Sequence, residues 1–363
     1  MLKNTPIVFL VENDYQLFIE VNESSLMWIR VGEECYYDHS NGVLRSASNI
    51  HKITVPREAL DKEKEYTVCY RRVIERKPYF SETSDVFEEK FKFSPLPEDK
   101  FNIFQVADAH GMVNAPVNAA KYFEAKYGKI DMLVLNGDVI DHSGDIKNFS
   151  AIYEIAALIT NGSIPVIFSR GNHDTRGIYA EMIADYSPTR NGASYFTFRA
   201  SGLFGLVLDC GEDKADDHSE YGNTNCCHAF RKEETKYLEH VIKNASSEYC
   251  AEGVKNKIVI AHSPFTKRFS APFNIEEDTY AYWTKLLSEE IKPDLLLSGH
   301  THTLTITRPG TENDAYGQSF PTVTASRPSK KEGYFVGGGL VFDNGSITVV
   351  FCDGEKTILE EKL

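Results

Sequence analysis

The sequence predicts an all-β region of immunoglobulin or fibronectin type III character, followed by a larger layered α/β region. Short strand-like runs such as IVFLVE and SLMWIRV follow one another through residues 1–97, at the spacing typical of a β-sandwich. From residue 101 onward, apolar strand-like runs alternate with segments of helical periodicity, which is the pattern of buried sheets covered by helices. The proline-containing segment FSPLPEDK separates the two patterns. We therefore expect two domains, 1–97 and 98–363.

One feature of the first region points to a fibronectin type III-like corner. In ITVPREALDKEKEYTVCYR, Leu60 is followed six residues later by Tyr66. In domains of this type, the corresponding tyrosine hydroxyl bonds back to the nearby chain. We expect the same of Tyr66.

The second region contains several amphipathic segments. Apolar residues recur at a spacing that would place them on one face of a helix. A hairpin is predicted around Gly202, where SYFTFRA and LFGLVLD flank the glycine. Helices are expected within residues 119–127, 145–160, 176–186, 233–243 and 278–291.

The composition limits the partners that the protein can have. A formal net charge of −14 argues against binding along nucleic acid, which requires a surplus of Lys and Arg. Neither a membrane span of about 20 apolar residues nor a signal peptide is recognisable in the sequence. The seven cysteines are scattered and odd in number, which favours reduced thiols and a cytoplasmic location. The oligomeric state is not indicated.

Five short apolar runs each end in residues of the kinds that bind metal ions. Their carboxylate, amide and imidazole groups together suit a two-metal hydrolytic centre. Because ligands collect at the carboxyl ends of strands in open α/β folds, these side chains are expected to converge. Taken singly, each motif could equally be a helix cap or a polar turn; the ordered series favours a metal centre. The candidate ligands are Asp108, His110, Asp138, Asn172, His262, His300 and His302.

These motifs, in this order, resemble those of the calcineurin-like metallophosphoesterase superfamily. They read DAH at 108–110, GDVID at 137–141, GNHD at 171–174, His262, and GHTH at 299–302. The resemblance covers roughly residues 101–305. It implies a four-layer α/β/β/α sandwich, hydrolysis of phosphate esters, and two metal ions. Fe, Mn and Zn all suit such ligands, so the identity of the metals stays open.

The resemblance also implies a role for each motif residue. His173 would be the general acid that protonates the leaving group, with Asp174 fixing its orientation. Asp138 would bridge the two metal ions, whose shared water loses a proton near neutral pH and attacks phosphorus. The remaining ligands divide into Asp108, His110 and His302 for one ion, and Asn172, His262 and His300 for the other.

The motifs of this chain differ at two positions from those of one branch of the superfamily. A β-sandwich ahead of the catalytic region resembles the purple acid phosphatases, which carry a ligand tyrosine at the fifth position of the GDxxY motif. This chain has Asp141 at that position, and it has His110 where those enzymes have glycine. Asp141 is then either a partner that holds a ligand histidine or a helix cap exposed to solvent.

Substrate contacts are only weakly indicated. The polar and aromatic segment 211–230 interrupts the α/β pattern, and its residues either line the site or pack within the loop. Arg170 could bind a phosphate with its guanidinium fork or form a structural salt bridge. Arg327 is a similar case, with a solvated position favoured. The loop candidates are Tyr221, Asn225 and His228.

The sequence therefore predicts a two-metal phosphoesterase that acts on a small phosphorylated molecule. A nucleotide or cyclic-nucleotide phosphodiesterase is the main alternative. A non-catalytic interaction scaffold is disfavoured, because such a protein would be expected to lose ligands that this chain keeps. A serine hydrolase is also disfavoured, since the sequence contains no GxSxG nucleophile elbow.

Overall fold

The computed structural model describes residues 1–326 and 333–363. Within the first 97 residues, the strands are β1 (Ile7–Val11), β2 (Asp14–Glu20), β3 (Ser25–Val31), β4 (Glu34–Tyr37), β5 (His39–Ser40), β6 (Val43–Leu44), β7 (Ile50–Pro56), β8 (Glu65–Glu75), β9 (Glu82–Thr83) and β10 (Phe87–Lys92). The later strands are β11 (Lys100–Val106), β12 (Met132–Asn136), β13 (Pro165–Ser169), β14 (Phe196–Ala200), β15 (Leu203–Leu208), β16 (Asn256–Ala261), β17 (Leu295–Ser298), β18 (Leu304–Thr307), β19 (Thr322–Ala325), β20 (Gly337–Asp343), β21 (Ser346–Cys352) and β22 (Thr357–Lys362).

The helices lie mainly in the second region. The predicted helical segments 119–127, 145–160, 233–243 and 278–291 are confirmed, although three of the helices begin earlier than expected and the second segment opens with a 3-10 turn, Ile146–Phe149. The segment 176–186 forms only a 3-10 turn (Ala180–Met182) and a four-residue helix, and the φ of +121° at Gly177 excludes that residue from a helix. The helices are α1 (Arg57–Glu63), α2 (Asn114–Tyr127), α3 (Ser150–Thr160), α4 (Ile183–Tyr186), α5 (Cys227–Lys243) and α6 (Glu277–Leu286).

Two large sheets form the centre of the molecule. The first has nine strands in the order β22-β21-β20-β11-β12-β13-β1-β2-β7, and the second has six in the order β14-β15-β16-β17-β19-β18. Strands β11, β12 and β13 are parallel in the first sheet, and β15, β16 and β17 are parallel in the second. The predicted hairpin at Gly202 is formed by β14 and β15. Two groups of parallel strands are therefore available to present ligands at their carboxyl ends.

Helices cover the outer face of each large sheet. Phe123 of α2 and Ile152 of α3 are fully buried against the nine-stranded sheet. Leu238 of α5 and Trp283 of α6 are fully buried against the six-stranded sheet. A third apolar core, which includes Ile103, fills the space between the sheets. Burying each such side chain stabilises the fold by about 1.5–3 kcal/mol. The predicted α/β/β/α sandwich is confirmed.

Apart from the seven-residue helix α1, the N-terminal region consists of β-strands, as predicted, and one of its sheets is continuous with the second region. Strand β1 pairs in parallel with β13, with Val8 opposite Pro165 and Phe9 opposite Val166. A separate sheet, β10-β8-β3-β4 with β9 attached to β8, shares an apolar core with this extension. Every residue of β1 is buried, which is typical of a central strand rather than one face of a sandwich. The nine-stranded sheet thus crosses the expected boundary at residue 97.

Tyr66 contributes to this continuity. Its hydroxyl donates to the carbonyl of Gly162, 2.9 Å away, in the turn after α3. The expectation that it would close its own corner is therefore corrected: the acceptor lies 96 residues further along the chain. Leu60 is buried within α1. The tyrosine joins the two regions because β8 packs close to the end of α3.

A buried Ser–His–Asp array links β3 and β7 to the residue between β4 and β5. His51 Nδ1 donates to Asp38 Oδ2 at 2.7 Å, and Ser25 Oγ lies 2.9 Å from His51 Nε2. Ser25 and His51 are completely buried, and Asp38 is 5% exposed. A substrate cannot reach a serine in this position, so the array is structural.

No helix within residues 1–326 and 333–363 is long and apolar enough to cross a membrane. All seven cysteines lie in this described part and are free thiols.

Replacing His51 with leucine should destabilise the N-terminal region. The Asp38 carboxylate and the Ser25 hydroxyl would each lose a buried partner, which costs about 2–4 kcal/mol in free energy of unfolding. Urea denaturation followed by circular dichroism would measure the loss. His240→Leu, at an exposed position on α5, is the control and should change the midpoint little. Equal midpoints for the two variants would contradict a structural role for the array.

Candidate metal centre

The candidate ligands follow the carboxyl ends of parallel strands from both sheets. Asp108 follows β11, Asp138 follows β12 and Asn172 follows β13 in the nine-stranded sheet. His262 follows β16 and His300 follows β17 in the six-stranded sheet. Since the two sheets pack face to face, these five strand ends meet at one edge of the molecule. The expected convergence of side chains is therefore present.

The ligand atoms form three overlapping groups. Within each group, one nitrogen or oxygen atom per residue lies within 4.8 Å of the others. Asp138 and His110 each belong to two groups, so they lie between the remaining ligands. The groups are Asp108, His110 and His302; His110, Asp138 and His173; and Asp138, His262 and His300.

Asp108 is fully buried and uses one carboxylate oxygen for protein contacts. Its Oδ2 accepts from the backbone amide of His300, at 2.9 Å, and from the Ser326 hydroxyl. Its Oδ1 has no hydrogen-bond partner among the described residues, and it lies 3.7 Å from His302 Nε2. One oxygen is thus held by the protein and the other faces the centre.

Asp138 has the position expected of a bridging carboxylate. It is 2% exposed, and its Oδ1 accepts from the backbone amide of His173 at 2.8 Å. Its Oδ2 lies 3.2 Å from His262 Nε2. The carboxylate therefore faces both halves of the candidate centre.

The imidazoles on the second sheet are oriented by carbonyl groups. His262 Nδ1 lies 2.7 Å from the carbonyl of Asn136, which can only accept, so Nδ1 carries the proton. Nε2 faces Asp138 Oδ2 and would be the ligand atom toward a cation, which is the arrangement common in metal-binding histidines. His300 Nδ1 lies 2.9 Å from Asn172 Oδ1. Both rings are directed toward the candidate centre.

Most candidate ligands have a left-handed backbone conformation. Their φ angles range from +46° to +69°, a region that residues other than glycine seldom occupy. Such strain costs on the order of 1–3 kcal/mol per residue and is characteristic of functional sites. The residues are Asp108, His110, Asp138, His300 and His302.

Two glycines allow the strand-end loops to approach each other closely. A Cβ atom on Gly171 would lie 2.2 Å from Asp138 Oδ1. A Cβ atom on Gly137 would lie 2.4 Å from His262 Nδ1. Any side chain at these positions would displace a candidate ligand. The glycines of the GDVID and GNHD motifs are therefore required by packing at the centre itself.

The electrostatics of the imidazoles reflect the buried carboxylates. Burial lowers the pKa of His110 to about 4, against the opposing effect of Asp138 and Asp108. Burial acts in the same sense on His262, but Asp138 and Asp108 outweigh it and raise its pKa to about 10. The buried carboxylates thus favour positive charge at the candidate centre, and a bound metal cation would supply that charge.

The structure corrects the expected partner of His173. Its Nδ1 donates to the backbone carbonyl of Asp141 at 2.7 Å, rather than to the Asp174 carboxylate. Asp174 is fully buried, and its Oδ2 accepts from the backbone amides of Gly171 at 2.6 Å and Asp138 at 3.3 Å. Burial and the neighbouring Asp138 raise the pKa of Asp174. Asp174 therefore joins two strand-end loops through hydrogen bonds to their backbone amides, and it does not orient His173.

Asp141 is no helix cap, because the next helical turn, Ile146–Phe149, is capped by Asp145. The Asp141 side chain is 63% exposed, and its Oδ1 lies 3.7 Å from His110 Nδ1. Of the two interpretations, the position beside a candidate ligand histidine agrees with the structure. In addition, the backbone carbonyl of Asp141 accepts from His173 and positions its ring. The GDVID motif did not indicate this contact.

The proposed substrate contacts have other partners. Arg170 Nε lies 2.6 Å from Asp209 Oδ2, so the structural salt bridge is present. The exposed His228 Nδ1 lies 2.8 Å from Glu276 Oε1, and neither residue belongs to the three ligand groups. Tyr221 is 7% exposed. Asn225 is half-buried in the same loop, and Arg327 lies outside the described residues.

Three residues beside the centre were not identified from the sequence. Arg176 Nη1 lies 3.1 Å from His173 Nε2, while its Nε and Nη2 donate to the two carboxylate oxygens of Glu212, each at 2.9 Å. Asp213 Oδ2 lies 3.9 Å from His300 Nε2, and its Oδ1 accepts from Tyr221 at 2.8 Å. The only local signal was that Arg176 follows His173 by one 3-10 turn.

The donor set fits metal ions. Asp108 Oδ1, His110 Nε2 and His262 Nε2 are buried and have no hydrogen-bond partner within residues 1–326 and 333–363. Leaving a buried polar atom unpaired is costly, and such atoms call for an explanation. Carboxylate and imidazole groups converging on the same point would be satisfied by cations.

The chain belongs to the calcineurin-like phosphoesterase family. The family model matches residues 101–304, which is more than half of the chain and contains every candidate ligand. The resemblance noted from the motifs is therefore confirmed.

Proteins similar to this chain include a phosphodiesterase relative and a phosphatase of solved structure. A probable cyclic nucleotide phosphodiesterase from Fibrobacter succinogenes is 27% identical over 126 residues, which are 32% of this chain and 47% of that protein. This chain thus matches about half the length of its curated relative. The solved structure of a purple acid phosphatase from yellow lupin (Lupinus luteus) seeds covers 100% of this chain and 75% of its own, with a TM-score of 0.62 and 12% identity. At that identity the likeness shows the fold, including the N-terminal β region.

Asp138→Asn should weaken metal binding. The substitution keeps the shape of the side chain but removes the negative charge at the point where the ligand groups overlap, so we expect metal affinity to fall by at least roughly 10–100-fold. Elemental analysis of dialysed protein would measure metal per chain. Asp217→Asn, in an exposed loop position, is the matched control. Unchanged metal content in Asp138→Asn would contradict the assigned centre.

Proposed function

We propose that the protein is a metal-dependent phosphoric ester hydrolase that acts on a small phosphorylated molecule. The observation that carries the proposal is the convergence of six candidate ligands at the strand ends, with Asn172 bonded to one of them, His300. Three buried ligand atoms have no hydrogen-bond partner among the described residues. Asp108, His110 and His302 would hold one cation, Asn172, His262 and His300 a second, and Asp138 both. Bound there, two cations would supply Lewis-acid stabilisation of the phosphoryl oxygens and activate water.

His173 is proposed as the general acid. Since its Nδ1 donates to the Asp141 carbonyl, the ring is held with Nε2 facing the candidate centre and Arg176. A proton at Nε2 could pass to the departing alkoxide oxygen. While Nε2 of His173 holds that proton, it cannot accept a hydrogen bond from Arg176. In this state, a substrate oxygen between His173 and Arg176 would accept from both.

Arg176 is proposed to bind that substrate. Glu212 is 1% exposed and occupies two of the three guanidinium nitrogens. This bidentate pair fixes the plane of the guanidinium and leaves Nη1 directed toward His173. A phosphoryl oxygen at the centre would take the place of His173 Nε2 as the acceptor of that N–H.

A cyclic nucleotide phosphodiesterase is the second candidate. It is favoured by the similarity to the Fibrobacter succinogenes protein, whose name carries that activity. Monoester and diester hydrolysis both use the residues described above, so the two candidates differ in the group attached to phosphorus rather than in the centre.

Hydrolysis of two chromogenic esters by the metal-loaded protein tests the proposal. Turnover of 4-nitrophenyl phosphate against bis(4-nitrophenyl) phosphate would separate monoester from diester preference. His173→Ala should lose roughly 10²–10⁴-fold on an alkyl phosphate, and less on the nitrophenyl esters, because a good leaving group requires little protonation.

The control for this series is His142→Ala, an exposed histidine just after the GDVID motif. Failure of the metal-loaded protein to hydrolyse either ester would contradict the proposed function. An equal loss on alkyl and nitrophenyl esters would contradict the acid role of His173 alone.

Arg176→Lys should weaken the binding of phosphate. Lysine keeps a cation beside the buried Glu212 carboxylate but lacks the planar fork, so we expect inorganic phosphate to inhibit about tenfold less strongly. Metal content should stay unchanged, because Arg176 is not a candidate ligand. Arg308→Lys, at an exposed ion pair with Glu361, is the control. Equal inhibition of the wild type and Arg176→Lys by phosphate would rule out this contact.

A further inference from the structure

A cavity adjoins the candidate metal centre on the side of the six-stranded sheet. Its volume is about 340 Å³, and the candidate ligand His300 is part of its lining. The segment 263–277, which follows the ligand His262, forms much of the wall, and Tyr316 closes another side. Sites that enclose small organic ligands have volumes of roughly 300–1,000 Å³. The cavity is therefore large enough for a substituent of a phosphate ester bound at the centre.

Aromatic side chains form the wall nearest the candidate ligands. The ring of Phe269 lies 6.5 Å from that of His300, with the two planes at 68°. Phe273 is 40% exposed, and Tyr316 is half-buried. In contrast, Phe265 is buried and packs against Trp283 in the core. Phe269, Phe273 and Tyr316 thus each present some uncovered ring surface, although the amino group of Lys214 lies over the Phe273 ring, 5.2 Å from its centre.

Some charged residues of the wall already form ion pairs within the protein, and others do not. Glu212 and Asp213 already pair with Arg176, and Asp213 also accepts from Tyr221. Within the described residues, no carboxylate lies within 4 Å of the amino group of Lys267 or the guanidinium of Arg268, the two cationic residues in the lining.

Glu277 is the remaining carboxylate of the wall, and it is exposed. The cavity therefore combines partly exposed aromatic rings with two cationic side chains, Lys267 and Arg268, that have no carboxylate partner among the described residues. It lies beside the proposed phosphate-binding centre. A nucleotide would bring a flat aromatic base to the rings and negative charge to the cations.

We propose that this cavity is the base-binding subsite of the enzyme and that its substrate is a nucleotide. The inference rests on the proposed function, since the phosphate would lie at the candidate metal centre. The base would stack on Phe269, Phe273 or Tyr316, because every nucleobase presents a π-face to an aromatic ring. Asn274 and Glu277, at the wall, offer polar groups to the edge of the base.

Binding measured without turnover tests the subsite directly. By isothermal titration calorimetry, the metal-loaded His173→Ala variant, whose turnover of alkyl phosphates is slow, should bind adenosine 5′-monophosphate at least about tenfold more tightly than ribose 5-phosphate, because one base stacked on an aromatic side chain contributes an effect of this order. Adenosine, which has no phosphate to reach the metals, should also bind detectably.

Two variants connect the effect to the cavity. Phe269→Ala and Phe273→Ala should each reduce the affinity for adenosine 5′-monophosphate several-fold, with ribose 5-phosphate unchanged. Tyr282→Ala is the matched control, because Tyr282 is also 40% exposed but lies on α6 outside the lining. Phe269→Leu keeps apolar volume without a π-face, so a loss in this variant too would come from stacking rather than from altered packing.

The outcomes separate this inference from the proposed function. Equal affinities for the nucleotide and the sugar phosphate, together with no binding of adenosine, would overturn the subsite even if both nitrophenyl esters are hydrolysed. A preference for the nucleotide that both alanine variants abolish would support the subsite, even in a protein that hydrolyses neither ester.

Discussion

The burial of negative charge between the two sheets is the constraint on which the candidate centre depends. Asp108, Asp138 and Asp174 are each no more than 2% exposed, and an unpaired buried carboxylate is strongly destabilising. Backbone amides supply part of the compensation, since the amides of His300, His173 and Gly171 donate to these three carboxylates. The remaining oxygen atoms of Asp108 and Asp138 face imidazole nitrogens. Bound cations would neutralise the remaining negative charge. The buried carboxylate oxygens that destabilise the fold when unpaired are therefore the same atoms that would bind metal ions.

This constraint also explains the unusual backbone at the strand ends. Carboxylates and imidazoles from two sheets must reach one point from short loops, so their residues adopt left-handed conformations and their neighbours are glycines. Strain of this kind persists only where the surrounding structure holds the chain in place. Here the parallel strands hold one end of each loop, and Asp174 joins two of the loops through backbone amides.

The N-terminal region and the loop at 211–221 extend this framework. Strand β1 covers the edge of β13 and so supports the strand that leads to Asn172. On the other side, Glu212 holds Arg176 against His173, and Asp213 faces His300. The chain thus shares its fold with a purple acid phosphatase, while its own loops supply the groups around the centre. Specificity would follow from those loops and from the cavity beside them.

The sequence by itself determined the features that depend on neighbouring residues. Alternation of strand and helix patterns predicted the layers, and each ligand motif could be read because it directly follows its own strand, as GNHD follows β13. Only the tertiary structure decided which distant groups meet. Arg170 pairs with Asp209, His173 bonds to the Asp141 carbonyl rather than to adjacent Asp174, and β1 joins β13 across more than 150 residues. Backbone carbonyls and long-range partners leave no mark in local periodicity, because their contacts are set by how the sheets pack.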